Sequence, residues 1–293
     1  IISLWFPANR FGFMTAMAET FGMLGSIFGS VLLAVSVHHY GWRSCILFAA
    51  GLSALIAVLI WTIVRDRPEN VTLITSRSTD SWLADTKYLI CSKLSWMNGI
   101  YSGLLFAIIS VFISLWAVPF FQSVYGFSLV QSTLMCNMTF IGVAIGSPLA
   151  GWLDGHYCCR RILIVSGPLL AACCLSLICF DSSGLNIVSL ACLMGGMGFF
   201  ISVYILNFVI GNQTARPGMR GANIGFVNMC SVGTAPILGP LLGWIIDLSS
   251  KHVTTVAEHA HLMLVGYEES FSILIAGLLL AAWIGCYLPK KYK

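Results

Sequence analysis

Charge is what this sequence has least of. Only 9% of its 293 residues are Asp, Glu, Lys or Arg, against roughly 25% in a soluble globular chain. A water-soluble fold needs charge to cover its exterior, and 58% apolar residues with a mean hydropathy of +0.90 leave too little of it. Several chemical signatures are missing as well. No G-x-G-x-x-G or G-x-x-x-x-G-K-[ST] run follows a strand, which excludes an ATP-driven engine. The eleven Cys contain no C-x-x-C pair and no Cys/His spacing suited to zinc, so they read as small apolar core residues. No Ser, His and Asp stand in a recognisable triad order, so the sequence does not read as an enzyme. Nucleic acid is not an expected partner either: the net charge is a modest +4, and the Lys and Arg are scattered among short segments.

Long apolar runs are what the chain has instead. Lipid accepts apolar side chains all round a helix, provided each backbone group is bonded within it. About 20 such residues cross a ~30 Å hydrocarbon core. Windows of that kind fall at about 11–37, 43–64, 98–121, 131–152, 161–180, 185–210, 222–247 and 270–288. Polar punctuation separates them, as at Arg65-Asp66-Arg67-Pro68 and Asp181-Ser182-Ser183-Gly184. The fold class expected is an all-α polytopic membrane protein with eight spans.

Lys and Arg are retained in cytoplasmic loops, which fixes the expected orientation. With the N-terminus inside, thirteen of the fifteen basic residues lie inside, and only Arg43 and Lys251 lie outside. The longest polar interruption, 65–97, then falls on the inner side, with an amphipathic stretch from Trp82 to Leu94. An outer connection at about 248–269 carries His252, Glu258, His259, His261, Glu268 and Glu269. Without a metal-binding spacing it reads as a solvated loop and not a metal site. Because the sequence opens with Ile1 inside an apolar stretch, it is expected to be a piece of a longer chain.

Two short segments repeat. Pro7-Ala8-Asn9-Arg10 and Pro217-Gly218-Met219-Arg220 each precede a Gly-rich span, and aligning Gly12 with Gly221 sets Glu19 opposite Asn228. The first and seventh spans therefore take equivalent places in two halves, which fits a six-plus-six architecture with four helices before residue 1.

These residues carry a family resemblance. Trp5-Phe6-Pro7-x-x-Arg10, a helix with Gly22, Gly25 and Gly29, Gly41-Trp42-Arg43 and Arg65-Asp66-Arg67-Pro68 resemble helices five and six of the major facilitator superfamily and the start of its central loop. Tyr125-Gly126-Phe127-Ser128, then Gly146 to Asp154 and Arg160-Arg161, are similar to its helix eight and the inner loop that follows. That loop usually reads Gly-x-x-x-Asp-Arg-x-Gly-Arg-Arg. Here Gly155 stands in the Asp place, His156 in the Arg place, Cys158 in the Gly place, and Asp154 comes one position early. The resemblance implies a facilitator-type bundle holding eight of twelve helices: residues 1–64 ending one bundle, 65–97 as the central cytoplasmic loop, and 98–293 as a second bundle of six. It also implies alternating access about a midplane site, and an inner-loop gate at Asp154, Arg160 and Arg161.

An ionisable group at membrane depth costs about 2.5–3.5 kcal/mol even on the lenient insertion scale. Glu19 is the clear case. Eight residues from Phe11 at 1.5 Å each place it about 12 Å deep. Its neighbours at three- and four-residue spacing, among them Gly12, Thr15, Ala16, Gly22, Ser26 and Ser30, form a small, polar stripe. Such a face lines a water-filled cavity, where a carboxylate can take up and release a proton as access alternates. Pairing with a cationic substrate, or bonding to neighbouring hydroxyls, are the rival readings. Tyr101, Trp116, Asn137, Tyr204, Asn207 and Asn228 are the candidate substrate-cavity residues, with interhelical hydrogen bonding as the bland alternative. Trp116 to Phe121, broken by Pro119, resembles an outer gate, although an interfacial aromatic belt explains the same rings.

The function expected is secondary transport of a small solute, an amino acid, carboxylate or similar metabolite, with protons as the coupling ion and no cofactor. With no Arg or Lys in the interior of the spans, a neutral or zwitterionic solute fits better than a strong anion. A transporter-like receptor without net transport, or an inactive truncated carrier, is the alternative. The expected address is the plasma membrane, or the inner membrane of a bacterium, with both ends of the chain cytoplasmic.

Overall fold

A computed structural model describes residues 2–65, 86–157, 159–180, 185–216, 218–250 and 256–290. Most of the expected inner connection, the loop position of Cys158 and the outer residues 251–255, His252 among them, lie outside the described residues. So do the side chains of 256–262, which include Glu258, His259 and His261.

Among the described residues every regular element is helical, and eight helices are long and apolar enough to cross a membrane. A short α1 (Ile2–Trp5) leads into α2 (Ala8–Ile63). That long helix is two spans joined at Gly41, whose φ of 76° and ψ of 156° lie in a region only glycine enters freely. The single glycine therefore replaces the loop that the polar residues around His38 to Arg43 lead one to expect. The two limbs diverge from it around an apolar pocket of about 570 Å³, bordered by Leu32, Leu33, Tyr40 and Phe48. Apart from Cys45, the second limb beyond Gly41 leaves its side chains exposed, Trp61 at 89%.

A helical stretch over 86–91 (α3) precedes α4 (Lys93–Ala107), which Ser92 caps by accepting from the Ser95 amide at 3.3 Å. The third span then widens into a π-helical turn at Ile108–Trp116 and continues as α5 (Ala117–Val124). A reciprocal capping box opens α6 (Leu129–Tyr157): Ser128 N–H donates to Gln131 Oε1 at 3.0 Å, and Gln131 N–H to Ser128 Oγ at 3.3 Å. The remaining elements are α7 (Arg160–Phe180), α8 (Ile187–Ile201), a 3₁₀ turn at Ser202–Ile205, α9 (Leu206–Thr214), α10 (Arg220–Val232), α11 (Ala235–Ser250) and α12 (Val256–Gly285).

The core lies where these helices meet. The first limb of α2 packs on α6, α6 on α8, α4 on both α10 and α12, and α7 on both α8 and α12. Small residues permit these approaches. A Cβ on Gly151 would come within 2.8 Å of the Gly12 carbonyl oxygen, so two backbones touch where α6 crosses α2. Lys93, Arg160, Arg216 and Arg220 stand at helix ends on one side of the bundle, called here the basic end.

Candidate functional site

Glu19 lies partly buried on the first limb of α2, on the side that faces the rest of the bundle. The packing that holds it there comes from its own neighbours. Phe11, Ala16 and Met23 are buried, the last two on one stripe seven residues apart, and Thr20 donates to the Ala144 carbonyl of α6 at 2.8 Å. From the opposite side the 3₁₀ turn between α8 and α9 brings in Tyr204, 2% exposed, whose hydroxyl donates to Glu19 Oε1. The turn follows the glycine-rich end of α8, where Ser202 donates to the Phe199 carbonyl at 2.6 Å. Its tighter winding aims the Tyr204 ring inward, against the edge of Phe106 at a centroid distance of 5.6 Å. A carboxylate held by one phenolic donor, with no further hydrogen bond to its second oxygen among the described residues, can take a proton, a water or a cationic group.

The other cavity candidates separate. Asn207, one turn along α9 from Tyr204, is fully buried, and neither atom of its carboxamide has a partner among the described residues. Asn137 is buried on α6 at 7% exposure. Trp116 ends the π-helical turn with its indole N–H unpartnered among the described residues, and its ring packs where a Gly243 Cβ would stand. Tyr101 is fully buried and donates to the Ile164 carbonyl at 2.7 Å, which ties α4 to α7 away from Glu19. Asn228 lies on the exposed side of α10 and is not brought to Glu19.

Phe120 and Phe121 have no exposed surface, so these two rings form no interfacial belt. They pack with Tyr125, Phe127, Tyr267 and Phe271 in a cluster of edge and stacked contacts that locks α5 onto α12.

At the basic end, Arg160 grips Asp154 with two hydrogen bonds, Nε to Oδ1 at 2.8 Å and Nη2 to Oδ2 at 2.7 Å, and gives a third from Nη1 to Gln213 Oε1 at 2.8 Å. Both charges are all but buried, and the fork joins α6, α7 and α9. Thus Asp154, one position early, still reaches the arginine. Arg161 points elsewhere and donates to the Cys286 carbonyl. Sequence reading missed Gln213, Asn98 and Asn223. The two asparagines sit within a few residues of the helix starts, where polar side chains read as boundary punctuation. Among the described residues no three His, Cys, Asp or Glu side chains come together as a metal site.

A family model described as Major Facilitator Superfamily matches residues 1–240. Among curated proteins, the chain is 22% identical over 274 residues to the membrane sensor protein UhpC of Escherichia coli K12, covering 84% of this chain. Its counterpart in Salmonella typhimurium LT2 is 21% identical over 272 residues, covering 85% of this chain. The chain spans about 60% of the length of these relatives.

Proposed function

Because the chain belongs to the major facilitator superfamily and is a multi-pass membrane protein, we propose that it is a secondary carrier moving a small solute by alternating access, with Glu19 as its proton-coupling group. The observation that carries this reading is the Glu19 carboxylate inside the first span, held by the Tyr204 hydroxyl from a helix of the other half of the chain. A membrane-embedded acid is costly unless it is used or paired. Here one oxygen is paired, across the contact between a span before the long interruption and one after it. Protonation of that carboxylate weakens the hold of Tyr204 on it and changes how firmly the two spans are joined, which is the coupling that a proton-driven rocking mechanism requires.

The division follows from the same logic: 1–64 closes one helical bundle, 65–97 connects, and 98–293 forms the second bundle. Asn207, Asn137 and Trp116 offer hydrogen-bonding groups for a neutral or zwitterionic solute such as an amino acid or a carboxylate with a balancing amine. Tyr101 acts as a structural tie. The Asp154, Arg160 and Gln213 fork holds the basic end, which Lys and Arg placement assigns to the cytoplasm. The protein works in a plasma membrane, or in the inner membrane of a bacterium.

One observation favours a second reading. Both curated relatives are named as membrane sensors, and a ligand-sensing protein on this fold binds its solute without moving it. Solute accumulation in proteoliposomes that follows an imposed pH gradient, and is lost in Glu19→Gln, supports the carrier. Saturable binding with no accumulation overturns it in favour of the sensor.

A further inference from the structure

At the basic end, α3, the start of α4 and the turn between α9 and α10 enclose a pocket of about 80 Å³. Residues between 88 and 95 form one wall, and residues between 214 and 223 the other. Apolar packing pins the walls together. Leu89 packs with Met219 and Phe226, and Trp96 stands edge-on to Phe226 at a centroid distance of 5.0 Å while its indole N–H donates to the Ile90 carbonyl at 2.6 Å. The two walls are thus fixed to each other before anything binds between them.

The groups these walls leave uncommitted are mainly donors. Ser95 is 8% exposed and lines the pocket, and its hydroxyl has no partner among the described residues. Ser92 accepts from the Ser95 amide, which leaves its own hydroxyl hydrogen free to donate. Arg216 lays its guanidinium 3.4 Å over the Tyr88 ring and has no acidic partner among the described residues. A guanidinium stacked by its face keeps the N–H groups of its edge for a planar grip on an oxyanion. The backbone adds to this set, because α4 is fifteen residues long and Leu94, in its first turn and on the pocket wall, has an amide with no acceptor within the helix. Asn223 brings no competing acceptor: its Nδ2 is committed to the Gly211 carbonyl at 2.7 Å, and its unpaired Oδ1 has almost no accessible surface.

Charge and size narrow the occupant further. No Asp or Glu lines the pocket. Lys87, Lys93 and Arg220 are next in sequence to residues that do line it, and all three are exposed without an acidic partner among the described residues. An anion is drawn to such a place and a cation is repelled. A water-sized group needs about 10–15 Å³, so the pocket takes about five to eight of them. A carboxylate leaves most of that space empty, whereas a phosphate fills it and carries enough oxygens to meet donors that converge from both walls.

We propose that this pocket is a binding site for a phosphate group, gripped by Arg216 and by the Ser92 and Ser95 hydroxyls at the start of α4, and that its occupant ties α3 to the turn between α9 and α10. The site is separate from Glu19 and does not rest on a coupling role for that residue. Two sources present this chemistry at the basic end. Inorganic phosphate or a phosphomonoester comes from the water, and a phospholipid headgroup from the bilayer surface, to which the exposed rings of Tyr88 and Trp96 are suited.

Full-length protein stripped of phospholipid in maltoside micelles tests both sources. Its melting midpoint is followed as inorganic phosphate is added at constant ionic strength, and separately as phosphatidylglycerol is added, with the phosphate-free diacylglycerol as the control. A saturable rise with inorganic phosphate identifies a soluble ligand; a rise with phosphatidylglycerol alone, absent with diacylglycerol, identifies a headgroup. In either case Arg216→Gln is expected to weaken the apparent affinity about tenfold, as the loss of charge-assisted hydrogen bonds implies, and Ser95→Ala severalfold. Lys290→Gln, which removes an exposed charge that does not line the pocket, is expected to leave it unchanged. No saturable rise with either ligand overturns the phosphate site. So does a rise that Arg216→Gln and Ser95→Ala leave intact, or one that Lys290→Gln weakens as much as Arg216→Gln.

Discussion

Tyr204 donates its hydroxyl hydrogen bond to Glu19 across 185 residues of sequence, and so joins the first span of the chain to the turn between α8 and α9. The ring itself is held by Phe106. Tyr204→Phe therefore removes the donor and keeps the packing. Gradient-driven uptake is expected to fall severalfold while thermal stability changes by about 1 kcal/mol, the size of one net hydrogen bond, as transport assays and a melting curve on the same preparation will show.

The buried fork behaves in the opposite manner. Replacing one member leaves an uncompensated charge in a dry site, a loss of about 3–5 kcal/mol. Asp154→Asn is expected to lower the melting midpoint strongly, and Arg160→Lys, which cannot grip both oxygens at once, to lower it less. Gln213→Leu, which removes only the third contact of Arg160, is expected to have the smallest effect. Midpoints in that order test the assignment of the fork as a clamp.

Close helix approach supplies a prediction with its own control. A side chain at Gly151 meets the Gly12 backbone, which cannot yield, whereas a Cβ at Gly221 meets nothing within 4 Å. Gly151→Val is expected to separate α2 from α6 and abolish transport. Gly221→Ala is expected to leave transport intact, and uptake by the two variants at equal expression decides.

Tyr101→Phe removes the bond that ties α4 to α7 at the Ile164 carbonyl. Interhelical hydrogen bonds average about 0.6 kcal/mol, so a small drop in melting temperature with unchanged solute affinity is expected. A changed affinity would return Tyr101 to the cavity.

The spans were legible because lipid demands long apolar runs, and Glu19 because an acid within such a run has few structural excuses. Gly41 hid its role. Its sharp turn leaves almost no polar loop between two spans, so nothing in composition marks how tightly they join. Phe120 and Phe121 read equally well as gate, belt or core, since hydropathy does not say which side of a helix meets protein. Asn98 and Asn223 were invisible for a different reason: a carboxamide near a helix start resembles loop punctuation, and only packing of three helices shows that it is buried. Gln213 likewise became informative through the arginine it meets, 53 residues away.

The central claim is tested most directly by uptake of a labelled panel of amino acids and carboxylates into proteoliposomes holding the full-length protein, with and without an imposed pH gradient, in wild type and Glu19→Gln. Accumulation of one solute that follows the gradient in the wild type and collapses in the variant is the expected result. Gradient-independent movement that survives the substitution would contradict a coupling role for Glu19, and the absence of movement for any solute that binds would contradict the carrier itself.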